Sequence, residues 1–251
     1  MVSDIKAMFW RSWLNILRTP EAVVISIVIP AIVMLVFINV FGGSMDVGGY
    51  NYANFIVPGI LVNVLVQSSS ATGVGVNEDM TKGIFLRFRS MAISSPAFLL
   101  GHVIAAFLKT ILTTTITIGV AFIAGFRPTA NFSEWLVIIG LIVLFILAIT
   151  WFSVWLGVVM PDASSVSGVL ALTAVLVFLS PGMAPTENMP KFLRYFAENQ
   201  PMAPFITSLR ALMNSHEIPD NDLLLTILWW GGILLLTFIV TIRAYKKKLT
   251  I

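Results

Sequence analysis

Residues 223–242 read LLLTILWWGGILLLTFIVTI, twenty positions without a charge, and residues 243–248, RAYKKK, follow at once. A run of that length matches the roughly 20 apolar residues an α-helix needs to cross a bilayer. Clustered lysines immediately after it mark the membrane face that basic residues prefer. Working back from this end, five more charge-poor stretches stand between Glu21 and the last span: about 22–41, 52–76, 96–125, 135–160 and 166–183. The chain is 58% hydrophobic and 11% charged, against about 25% charged in an ordinary soluble domain. These observations predict an all-α integral membrane protein with six transmembrane helices, forming a single domain over 1–251.

Charge is confined to the gaps, and the gaps differ in character. Residues 1–20 are too polar to span. On a helical wheel Asp4, Arg11, Asn15 and Arg18 share one face, opposite Ile5, Phe9, Trp13, Ile16 and Leu17. That pattern, with Trp10 and Trp13 suited to the headgroup level, predicts an interfacial helix that turns at Thr19-Pro20 into the first span. With six spans both termini share a side. Placing them inside puts Lys6, Arg11, Arg18, Lys82, Arg87, Arg89, Arg243 and Lys246 to Lys248 there, and leaves Arg127, Lys191, Arg194 and Arg210 outside. Ten basic residues against four favour that orientation.

The catalytic inventory is thin. There is no cysteine, and the two histidines, His102 and His216, fall at opposite predicted faces. No His/carboxylate cluster has metal-ligand spacing. Gly73-Val74-Gly75 lacks the Lys-Ser/Thr and the preceding strand of a phosphate loop, so the chain is not expected to bind ATP itself. The basic residues are not gathered on one soluble face, and no nucleic-acid partner is expected. Lys109 is the formally charged residue well inside a span, and such residues are functional candidates. No carboxylate lies at comparable depth, which argues against the alternative of an ion- or proton-driven secondary transporter. A membrane enzyme acting on lipid would need convergent nucleophile, base and metal ligands that are not visible.

Two polar insertions remain. Residues 78–95 open with Glu78 and Asp79 and continue through Lys82, Gly83, Phe85, Arg87, Phe88 and Arg89. Acidic residues first and arginines last suit a short helix and its dipole. Either a protein-binding helix or an amphipathic loop on lipid headgroups fits. Residues 185–222 place apolar residues among prolines: Met189-Pro190, then Asn199-Gln200-Pro201, then Phe205 to Met213. Two short helices broken at Pro201 and Pro204 are predicted, dipping back as a re-entrant pair. A cap over an exit path and a plain outer lid both fit.

At these insertions the sequence resembles the ABC-2 family of ABC transporter permeases, most closely its daunorubicin-resistance type. The matching stretches are Phe55 to Leu61, Ala71 to Asp79, Lys82 to Phe85 with Arg87 to Ser90, Met189-Pro190, Glu198 to Pro201, and Leu209 to Leu212. The resemblance implies an N-terminal elbow helix, six spans, a cytoplasmic coupling helix between spans two and three, and a re-entrant pair before the sixth. It implies a permease dimer in the inner or plasma membrane, exporting a drug-like or lipid-like amphipathic substrate. ATP and Mg would belong to a separate ATPase subunit, with no cofactor on this chain. Glu78, Asp79, Lys82, Gly83, Phe85, Arg87, Phe88 and Arg89 would contact that subunit. Polarity alone suggests Asn63, Gln67, Ser68, Thr72, Lys109 and Ser180 for the substrate pathway. Met189, Pro190, Asn199 and Pro201 would belong to the cap.

Overall fold

A computed structural model describes residues 2–18, 20–42, 47, 49–83, 95–219 and 221–249. Among them are nine α-helices and no strand: α1 (Val2–Arg18), α2 (Pro20–Phe41), α3 (Tyr52–Thr81), α4 (Ser95–Ile123), α5 (Phe132–Val159), α6 (Ala163–Phe178), α7 (Lys191–Asn199), α8 (Met202–Met213) and α9 (Asp222–Leu249). Five of these, α2, α3, α4, α5 and α9, are long and apolar enough to cross a membrane.

The expected fifth span is α6, and it ends at Phe178, short of the expected Met183. Pro181 explains the stop, because proline disfavours the α region for Ser180 and cannot donate to a continuing helix. The Ser180 hydroxyl instead donates to the Val177 carbonyl and accepts from the Gly182 amide at 3.1 Å. A second correction concerns Glu78 and Asp79. They do not open a separate helix but occupy the last turns of α3, which runs on to Thr81 and closes when the Lys82 amide bonds the Glu78 carbonyl. Gly83 follows with φ +69°, a left-handed conformation that glycine adopts without a Cβ penalty. A third concerns Pro204, which sits within the first turn of α8 rather than breaking it. The interruption is at Gln200-Pro201 alone.

α3 is the axis of the bundle. Within its apolar window 78% is buried, against 11% for α2 and 17% for α9. Small residues let α5 approach it closely. A Cβ built on Gly157 would lie 2.3 Å from the Gly73 carbonyl oxygen, and one on Gly73 would lie 2.3 Å from the Ser153 carbonyl. The seam is then sealed by polar groups that water cannot reach. Ser153 Oγ accepts from the Gly73 amide at 3.0 Å and donates to the Ser69 carbonyl at 2.9 Å. Asn77 Nδ2 donates to the carbonyls of Gly157 and Met160 at 3.1 and 2.9 Å. Small residues and interhelical hydrogen bonds are the means by which helices pack where lipid removes the hydrophobic drive.

Aromatic packing anchors α8 and α9. Phe145 of α5 stands 4.5 Å from Phe205 and 4.1 Å from Trp230, ring centre to ring centre. At one end of the bundle Met8 of α1, Phe98 of α4 and Tyr245 of α9 share a core cluster, so the first and last helices both pack on α4 there.

Candidate functional site

Helix α1 lies against α4 with almost no separation: a Cβ on Gly101 would come 2.5 Å from Met8 Cβ. That contact fixes the rotation of α1 and turns Arg11 onto the bundle, while Trp10 and Leu17 remain exposed. Arg11 reaches the end of α3 and grips Asp79 through both guanidinium arms, at 2.6 and 2.7 Å. A bidentate fork of this kind fixes geometry as well as charge. The Asp79 hydrogen bond holds the Arg11 guanidinium above its ordinary pKa against the opposing effect of burial. His102 of α4 completes the junction, with Nε2 3.1 Å from the same carboxylate and its ring edge-on to Phe98. One carboxylate thus ties the first helix to the departing end of α3 and the arriving end of α4. Immediately beside it Lys82 pairs with Glu78 at 2.6 Å, on an exposed surface. Phe85, Arg87, Phe88 and Arg89, the remaining contact residues suggested by the sequence, lie outside the described residues.

The six suggested pathway residues are not brought together. Asn63 and Gln67 are hydrogen-bonded to each other and line an open groove of about 480 Å³ between α3 and α6, with Ser70 and Ser167. Ser68 faces the other way, its hydroxyl 3.0 Å from that of Thr113 on α4. Ser180 is consumed in the turn after α6. Thr72 and Lys109 line a separate cavity of about 500 Å³ among α1, α3 and α4.

Of the suggested cap residues, Pro190 and Met189 flank the start of α7. Asn199 closes that helix by donating to the Tyr195 carbonyl at 2.8 Å. The Pro201 carbonyl accepts from Trp230 Nε1 at 3.1 Å, which ties the break between α7 and α8 to α9. Only α8 buries its length; α7 leaves Phe192 and Tyr195 projecting from the bundle.

Sequence reasoning missed Arg210. It enters only the count of outer basic residues, and it is buried, donating to the carbonyls of Phe55 at 3.0 Å and Pro181 at 2.6 Å. It also missed His102 as a partner of Asp79. A signal for the latter was present: Asp79 ends one span and His102 begins the next, on segments that must lie side by side.

Residues 3–214 match the family described as ABC-2 type transporter. The chain belongs to that family, and it is a multi-pass membrane permease. It is 27% identical over 249 residues to a daunorubicin resistance ABC transporter permease protein of Streptomyces coeruleorubidus, covering 98% of this chain and 87% of the relative. It is 22% identical over 233 residues to a probable doxorubicin resistance ABC transporter permease protein of Mycobacterium tuberculosis, covering 90% and 83%. The family implies an ABC ATPase partner, which agrees with a chain that carries no phosphate loop.

Proposed function

We propose that this permease exports an amphipathic, drug-like or lipid-like molecule, driven by ATP that a separate subunit binds with Mg and hydrolyses. The chain acts as one transmembrane domain over 1–251. Residues 1–20 form an interfacial elbow, 78–95 the coupling region, and 185–222 a re-entrant segment over the exit; α6 serves as a short sixth crossing. Both termini face the cytoplasm across the inner or plasma membrane. The packing of Met8 and Tyr245 into one cluster at the start of α4 supports a shared side, and the basic count supports the inner one. Two copies form the working dimer.

The observation that carries this reading is the Asp79 junction. It sits where α3 leaves the bundle, next to the coupling region, and is braced on two sides by Arg11 and His102. A push delivered to 84–94 by the closing ATPase reaches α1, α3 and α4 together. The same push, tilting α3 and α6, opens or closes the groove that Asn63 and Gln67 line. The names of the two relatives suggest an anthracycline as the first substrate to try.

The test uses inverted vesicles containing the permease with its co-expressed ATPase. Daunorubicin uptake that requires ATP and both chains is expected, and Arg87→Glu with Arg89→Glu should cut the yield of co-purified ATPase. Uptake that persists without the ATPase would overturn the reading in favour of an ion-driven carrier. An unchanged yield of ATPase would remove the arginines from the contact.

A further inference from the structure

Lys109 lies in the middle of α4, is only 7% exposed, and makes no hydrogen bond or ion pair among the described residues. A cation at membrane depth is costly and normally faces a partner or a wet cavity. Here it faces the 500 Å³ cavity roofed by α1. Lys109 stands two helical turns from His102, about 10 Å along the axis, on the same face of α4 as Ala105 and Ala106, whose small side chains keep the space open.

We propose that this cavity holds the phosphate of an anionic phospholipid headgroup, with Lys109 as its counter-ion. Three observations point to an anion. The carboxylates on the wall are already engaged, Glu78 by Lys82 and Asp79 by Arg11 and His102, which leaves the ammonium uncompensated. The wall also offers small neutral donors: Thr72, and Ser12, whose buried hydroxyl lacks a hydrogen-bond partner. The volume falls within the range of small-molecule sites, about 300–1,000 Å³. A lipid is the source of the phosphate because α1, the roof, is amphipathic and presents Trp10 and Leu17 outward, as a helix lying among headgroups does. The proposal rests on the elbow reading of α1 but needs neither ATP nor export. The bound lipid would splint α1 to α3 and α4 from within, as Asp79 does at the end of the bundle.

Native mass spectrometry of the full-length permease, offered phosphatidylglycerol and phosphatidylcholine in competition, tests it. Wild type should retain phosphatidylglycerol preferentially. Lys109→Met should lose about fivefold of that preference, the equivalent of one cation near a charged headgroup, and Lys109→Arg should keep it. No preference in the wild type would overturn the proposal whether or not the variants fold. So would an unchanged preference in Lys109→Met. Displacement of the lipid by millimolar inorganic phosphate would reassign the site to a free anion and equally overturn the lipid. Absence of ATP-driven drug uptake by a wild type that retains its lipid preference would break the export reading alone.

Discussion

The guanidinium carbon of Arg210 stands 3.8 Å from the centre of the Phe55 ring while its Nε donates to the Phe55 carbonyl. One side chain therefore holds α8 to α3 by stacking and by hydrogen bonding, and its Nη2 adds the Pro181 carbonyl in the turn after α6. Charge alone cannot do this; a planar fork is required. Arg210→Lys should cost roughly 2 kcal/mol through lost stacking and one unmade bond. The apparent Tm of the purified protein should fall by about 4–8 °C. A shift below one degree would show that the positive charge suffices.

Gly157 has no room for even a methyl group against Gly73. Gly157→Ala must push backbone from backbone, and overpacking of this kind costs about 1–3 kcal/mol. Gly119, in the same membrane but with open space around its Cβ position, serves as the comparison. Gly119→Ala should be neutral or stabilise by up to about 1 kcal/mol, the helix-propensity gain. Detergent-resistant folding measured side by side decides it; equal behaviour of the two variants would remove the close seam from the account of stability.

For the Asp79 junction a double-mutant cycle is the suitable measurement. Arg11→Gln and Asp79→Asn should each destabilise by roughly 2 kcal/mol, since each strands a partly buried charge. The double variant should cost clearly less than their sum. Strict additivity would mean that the two residues act independently despite the 2.6 Å contact.

Glu198 accepts from Thr186 at 2.7 Å and from Arg194 at 2.8 Å, and these two bonds lower its pKa in that order. A lowered carboxylate pKa stabilises the folded form above the unfolded value, about 4.3, and the contribution disappears as pH falls through the lower folded value. The protection factors of α7 amides, with the intrinsic pH dependence of exchange divided out, should therefore be flat from pH 7 to about 5 and fall below about pH 4. Glu198→Gln should flatten that acid limb; a limb that survives the substitution would assign it elsewhere.

The five long apolar helices were legible because each needs only its own residues: length, absence of charge and a break are all local. α4 and α5 fall within a few residues of their expected ends for that reason. Their partners were not legible. Nothing near Gly73 in the sequence announces Gly157, and a glycine in an apolar helix reads the same whether it faces lipid or another backbone. The burial of Arg210 was not legible because its charge indicates only a side of the membrane, whereas two carbonyls, of Phe55 and Pro181, and the face of the Phe55 ring stabilise it inside the bundle. Asp79 and Glu78 were assigned to the insertion by their charge, but a helix ends where its hydrogen bonds end, at Lys82. Lys109 stood out by charge alone; the cavity it faces depends on how α1 folds back.

The glycine seam also bears on how force crosses the membrane. A joint with no side chain between two backbones has no slack, so α3 and α5 bend or tilt only as a pair. Thirty residues of α3 make a strut about 45 Å long, stiffened along its side as a beam is by a second flange. A displacement applied beside Asp79 at one end arrives at Phe55 and Arg210 at the other with little lost in flexure. The turn after α6 travels with that far end, because Gly182 seats its backbone against Gly59 and Arg210 holds the Pro181 carbonyl.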